Sequence, residues 1–198
     1  MAKQQITVFD FDGTLTTKDT FLEFIKFSKG KGAFLLGFLL HFPLLVLMKL
    51  KLYSNWKIKQ MIFSYFFKDM TITDFDKYCI QFAKKHQLLL RPKGLQFLRK
   101  HLTDGDTVLI ISASIDNWVK PFFLGIPIKI VGTRLEIDIG RKLTGRFLSK
   151  NCYGKEKVTR LLELYPKRDE YFLVTYGNSR GDKELIDFSD EGWYNNFI

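Results

Sequence analysis

Cysteine is nearly absent from this chain: Cys79 and Cys152 are the only two in 198 residues, far apart and without metal-ligand spacing. A disulfide scaffold and a zinc cage are thereby excluded, and two free thiols in a reducing cytoplasm are expected. No zinc-finger, homeodomain or ribonucleoprotein pattern occurs. The lysines are scattered rather than gathered in a basic stripe, so no nucleic-acid partner is expected despite the net charge of +10. The opening Met-Ala-Lys-Gln-Gln leads straight into an apolar stretch, and no signal peptide is expected. An unbroken apolar run of the ~20 residues that a spanning helix needs is also missing. The greasiest segment, 32–48, is shorter and carries His41 and Pro43.

What is present suffices for one core domain with a small insertion, since 46% of the residues are hydrophobic. The positive balance favours polyanions such as phosphorylated substrates or anionic lipid. After residue 90, apolar strands alternate with helical patterns. Helices are predicted at 93–101 and 155–165, strands at 107–111, 129–131 and 171–176, and a hairpin arm at 135–138. Strands that are apolar on both faces and separated by helices predict an α/β fold with a parallel sheet covered on both sides. Ligands of such sheets bind beyond the carboxyl ends of the strands, where Asp10, Ser112 and Asn178 would converge.

The most informative stretch is Val8-Phe9-Asp10-Phe11-Asp12-Gly13-Thr14-Leu15-Thr16. A short apolar strand ends in two carboxylates one residue apart, which a strand would turn to the same side. Such a pair repels unless a cation lies between its members or one holds a proton. A hard, oxygen-liganded ion such as Mg²⁺ suits it, with one oxygen free to attack phosphorus. Further on, Ser112-Ala113-Ser114 offers a hydroxyl and amides at a strand-to-helix turn, suited to a phosphoryl oxygen or to a plain helix cap. Lys155 and Lys157 open a helix, where the dipole disfavours a cation without a function.

The Asp10–Thr16 stretch resembles motif I of the haloacid dehalogenase superfamily. The later Gly132-Thr133, Thr144-Gly145-Arg146 and Asn151-Cys152-Tyr153-Gly154-Lys155-Glu156-Lys157-Val158 are similar to its phosphoserine-phosphatase-like subgroup. The resemblance implies a Rossmann-like core of residues 1–16 and 91–198, with a helical cap at 17–90. It implies a Mg²⁺-dependent phosphomonoester hydrolase working through an aspartyl-phosphate. Asp10 would be the nucleophile and Asp12 the general acid and base, while Ser112 and a lysine steady the phosphoryl group. Local amides at Gly13 and Ala113 would share that task. In relatives with the Asn-Cys-x-Gly pattern the lysine directly precedes Val, which points to Lys157; alignment to phosphoserine phosphatases favours Lys155 instead. Asp10, Asp12, Asn178 and Asp182 would hold the metal.

Asn178 departs from the family. Relatives carry Gly-Asp-Ser-x-x-Asp where this chain has Gly177-Asn178-Ser179-Arg180-Gly181-Asp182. A neutral amide oxygen is a poorer Mg²⁺ ligand than a carboxylate. Weakened metal binding and a catalytically silent phosphate- or membrane-binding protein both remain open.

Substrate choice falls to the cap. Phe21, Phe24 and Ile25, then Trp56, Ile62, Phe63 and Phe66, recur at helical spacing. Asp19 occupies the place of the acidic residue that binds the substrate amino group in phosphoserine phosphatases, although a helix N-cap would also explain it. The matching arginine is missing, with Phe63 near its position, so phosphoserine is poorly supported. The run at 32–48, flanked by Lys26, Lys29, Lys31, Lys49 and Lys51, reads either as a buried cap helix or as a membrane-dipping element. The phosphatidylglycerophosphatase C branch of the subgroup resembles this chain in that cap, which implies a lipid-linked or other hydrophobic phosphomonoester. Peripheral contact with an anionic membrane through residues 32–51 would accompany it.

Overall fold

The computed structural model describes residues 3–50 and 52–197. Strands β1 (Gln4–Phe9), β2 (Thr107–Ile115), β3 (Lys129–Thr133), β6 (Tyr171–Gly177) and β7 (Glu191–Tyr194) form one parallel sheet in the order β3-β2-β1-β6-β7. Period-two alternation divides its side chains between two faces. Ile6, Val8, Leu109, Ile111 and Leu173 pack on one face, where Leu161 of α7 (Lys155–Leu164) and Leu185 of α8 (Lys183–Phe188) cover them. Phe9, Val108, Ile110, Val174 and Tyr176 belong to the opposite core, with Leu98 of α5 (Pro92–Thr103). Burial on both faces explains why the strands read as apolar runs.

One expectation needs correction. Ser112 does not lie past a strand at a turn into a helix, because β2 continues through Ile115 before the short α6 (Asp116–Val119). Pairing with β1 ends at Phe9↔Ile110, but β3 goes on pairing, through a register shift, to Ile115↔Thr133. Ser112 therefore stands where β2 has outrun its central neighbour.

Residues 20–85 form helices α1 (Thr20–Leu40), α2 (Phe42–Lys49), α3 (Asn55–Phe67) and α4 (Ile72–Lys85). Phe24, Phe63, Phe67, Phe75 and Phe82 interlock at their centre, all fully buried. The hairpin of β4 (Leu135–Ile137) and β5 (Leu143–Phe147) is tied to these helices. Its Phe147 amide donates to Gln60, and the amides of Asp69 and Ile72 donate to Leu143 and Arg141.

The buried-helix reading of 32–48 does not hold. Gly30 breaks α1 with φ +82°, and a second bend of 61° at His41 separates α1 from α2. Pro43 sits at the start of α2, where a missing N–H costs nothing. Of the elbow formed by residues 31–50, only Gly37 is buried. Lys51 lies outside the described residues. No single helix among the described residues is long and apolar enough to cross a membrane.

Candidate active site

At the carboxyl end of β1 the chain leaves the sheet with Asp10 still pinned to β6, its amide donating to the Tyr176 carbonyl at 2.9 Å. Residues 11–15 then curl tightly, with Gly13 at φ +81°. The Thr16 hydroxyl holds the curl by accepting from the Gly13 amide at 3.1 Å and donating to Phe11. That curl keeps Asp10 and Asp12 on the same side, and both line one cavity of about 480 Å³.

Lys157 enters from the first turn of α7. Its ammonium donates to Asp10 Oδ1 at 2.6 Å, Asp182 Oδ1 at 2.5 Å and the Ile111 carbonyl at 2.8 Å. All three charged side chains are buried. Burial pulls the lysine toward neutrality, but the two carboxylates more than offset it and hold Lys157 above its ordinary value. At Asp10 burial outweighs Lys157, and with Asp182 and Asp12 adding negative charge the carboxyl is pushed up to about 7. The geometry distinguishes the two lysines: Lys157 meets Asp10, whereas Lys155 is exposed and outside the cavity.

Asp12 is positioned by three donors. The Thr20 amide and hydroxyl reach Oδ1 at 2.7 and 2.6 Å, and the Ser114 hydroxyl bonds Oδ2. Trp118 in turn donates to Thr20 Oγ1 at 3.1 Å. Ser112 lines the cavity and its Oγ accepts from the Ser114 amide at 3.1 Å, while the Ala113 carbonyl accepts from Lys59. The Gly13 amide is spent on Thr16.

Asn178 and Asp182 lie behind the carboxylate pair. Thr14 Oγ1 stands 3.1 Å from Asp10 Oδ2 and 3.2 Å from Asn178 Oδ1, so one hydroxyl bridges the two side chains. Asp182 Oδ1 takes Lys157, while Oδ2 accepts from the amides of Asn178 and Ser179 and from the Ser179 hydroxyl. Burial raises its pKa, but these donors bring it below its ordinary value. With both oxygens engaged, Asp182 anchors the lysine and the Asn178 loop instead of facing the cavity. Among the described residues, no three His, Cys, Asp or Glu side chains are arranged to hold a metal by themselves.

Helices α1, α2 and α3 close the cavity. Asp19 caps α1 through the amides of Phe21 and Leu22 and also lines the cavity, so both of its sequence readings meet in one place. Partial burial and the Asp12 charge raise its pKa, against Lys59. Lys59 was not foreseen. It reaches from α3 to donate to the Ala113 carbonyl at 2.9 Å and faces Asp12, Asp19 and Asp10. Phe63, where a family arginine was sought, lies one helical turn further on, and the i−4 spacing would have found Lys59. Phe38, Leu45, Met48, Ile58 and Ile62 make the rest of this wall apolar.

Residues 7–187 match the family model of haloacid dehalogenase-like hydrolases. The chain is 33% identical to Protein CicA of Caulobacter vibrioides over 195 residues, covering 97% of this chain and 86% of the relative. A protein of unknown function from Bordetella pertussis Tohama I shares the fold with a TM-score of 0.81 at 16% identity, over 94% of this chain and 87% of the other. A probable phosphoserine phosphatase from Vibrio cholerae gives a TM-score of 0.72 at 18% identity, over 97% of this chain and 56% of the other.

Proposed function

Because the chain belongs to the haloacid dehalogenase-like hydrolases, we propose that it hydrolyses phosphomonoesters through an aspartyl-phosphate on Asp10, with Mg²⁺ as cofactor. The substrate carries an apolar group, in keeping with a lipid-linked phosphate. The observation that carries this reading is the Lys157 ammonium clamped between Asp10 and Asp182 at the cavity floor.

The donor set fits Mg²⁺. That ion usually takes one or two carboxylates and fills its remaining positions with water and substrate phosphate. Asp10 Oδ2 and Asn178 Oδ1, bridged by Thr14, are hard oxygens of that kind, and the Asp12 carbonyl is the third contact we assign. Asp182 stands behind them, positioning Asn178 and Lys157. When bound, the ion would supply positive charge to offset that of the phosphate and of Asp10.

The chain's own residues divide the chemistry between them. An Asp10 carboxylate oxygen attacks phosphorus as the ester P–O bond breaks, and protonated Asp12 gives its proton to the departing alkoxide. Asp12 then takes a proton from water, whose oxygen attacks phosphorus and releases phosphate and the free Asp10 carboxylate. Ser114 and Thr20 fix Asp12 for both proton transfers. Ser112 and Lys157 steady the phosphoryl oxygens as charge builds. Phe38, Leu45 and Met48 receive the apolar part of the substrate.

Asn178 favours one second reading, a silent phosphate-binding protein on this fold. Hydrolysis of p-nitrophenyl phosphate with and without Mg²⁺ separates the two. The working enzyme turns over only with Mg²⁺ and loses turnover in Asp10→Asn, which keeps the fold. Metal-independent hydrolysis, or full activity in Asp10→Asn, would refute the assignment. No turnover in the native chain with turnover in Asn178→Asp would establish the silent reading.

A further inference from the structure

The elbow of residues 31–50 is two-faced. Inward, Phe38, Leu45 and Met48 form one wall of the catalytic cavity. Outward, Leu35, Leu36, Leu39, Leu40, Phe42 and Leu50 are exposed, with Leu39 at 70%. A contiguous apolar surface of that kind is rare on a monomer that meets only water. It is not a stray loop either, since both arms are regular helix and Gly37 packs hard against Phe66, where an added Cβ would fall 2.2 Å from the ring.

The surrounding charge selects the partner. From residue 24 to residue 68 the chain has eight lysines and no Asp or Glu, so this segment carries most of the net charge of +10. Lys31 and Lys49 are exposed at the two ends of the elbow, and Lys57 and Lys68 are exposed at the two ends of α3. Tyr65, its ring against His41, and Trp56 are half-exposed beside it, the residue types that settle at a membrane–water boundary. A second copy is a poor occupant: a two-fold contact through the elbow would bring Lys31 and Lys49 against their own copies, with no acid within the elbow to pair them. No single described helix is long and apolar enough to cross a membrane; α1 and α2 reach that length only together, across the 61° bend.

We propose that this elbow docks into the headgroup region of an anionic lipid bilayer, its leucines among the upper acyl chains and its lysines against anionic headgroups. Amphipathic elements with a basic rim bind in this way, by apolar burial together with charge. The cavity wall then lies at the membrane surface. Delivery of a lipid phosphate from that surface rests on the phosphatase reading above; docking itself does not.

Flotation of the full chain with vesicles of phosphatidylcholine alone, or of phosphatidylcholine with an equal part of phosphatidylglycerol, tests docking without any turnover. The chain is expected to float with the mixed vesicles and not with the neutral ones. Leu35→Glu/Leu39→Glu should lower partitioning by about tenfold per leucine. Its p-nitrophenyl phosphate rate should stay that of the native chain. Equal flotation of variant and native chain would overturn the proposal, and so would no flotation on either vesicle. A dimer in light scattering that the same substitutions split, without vesicle binding, would overturn it in favour of a second copy. An inert protein that floats would refute the phosphatase reading and leave docking standing.

Discussion

Gly13 and Asn178 lie against each other so closely that a Cβ at residue 13 would stand 2.2 Å from the Asn178 side-chain nitrogen. Gly13 also holds φ +81°. Gly13→Ala should therefore lose about 1–2 kcal/mol of stability from backbone strain alone. It should also push the Asn178 amide off Thr14 and cut activity by more than the stability loss explains. Urea denaturation and turnover at saturating Mg²⁺ give the two quantities. An alanine variant with native turnover would show that Asn178 has no part in the site.

On the proposed assignment, Asp10 would couple Mg²⁺ binding to pH. Burial, chiefly, lifts its carboxyl from 3.8 to about 7, so without metal the folded protein holds a proton there that the unfolded chain has released. The stability tied to that proton is complete below 3.8 and is lost as pH rises through about 7. A cation beside the ionised carboxylate opposes the loss, because it binds the form that high pH produces. The rise in Tm on adding Mg²⁺ should therefore be small below that value and grow above it. A Mg²⁺ shift that is flat with pH, or larger in acid, would remove Asp10 from the metal site.

Lys157 and Lys155 begin the same helix and should behave oppositely. Lys157→Met strips the counter-charge from Asp10 and Asp182, both buried, and should cost about 3–5 kcal/mol in urea denaturation. Exposed Lys155→Met should stay within about 0.5 kcal/mol. Turnover should vanish in the first and persist in the second. The reverse pattern would move the catalytic lysine.

What could be read from the sequence was local. The carboxylates Asp10 and Asp12 show themselves because strand period and a following Gly-Thr lie within a few residues. The five sheet strands differ: β1, β2, β3 and β6 are apolar runs, whereas β7 is exposed throughout and went unread. Contacts between distant segments were invisible. Nothing near Ser112 signals that β2 outruns β1, because that depends on where β3 keeps pairing. Nothing near Asp182 signals that its oxygens are taken by Lys157 and Ser179. The apolar run at 32–48 was visible, but hydropathy alone does not say which face a helix turns to the core. Thr20 and Lys59 escaped because their roles come from side chains that cross from α1 and α3 to other elements.

Lys59 is the cation that α3 brings to the cavity, and its test separates substrate capture from chemistry. Its ammonium makes one hydrogen bond, to the Ala113 carbonyl, and lies over the Phe21 ring at 5.5 Å. Burial lowers its pKa, and the charges of Asp12, Asp19 and Asp10 work against that, which favours the ammonium form facing an incoming phosphate. It touches none of the oxygens that Lys157 holds. Lys59→Met should therefore raise KM for p-nitrophenyl phosphate by about tenfold, the worth of one charge-assisted hydrogen bond. The kcat should fall far less than in Lys157→Met. Lys59→Arg, which restores the charge on a longer arm, should recover most of the loss. If kcat fell with KM unchanged, Lys59 would be acting on the transition state. If arginine failed where methionine was tolerated, its role would be the packing of α3 on β2 and not its charge.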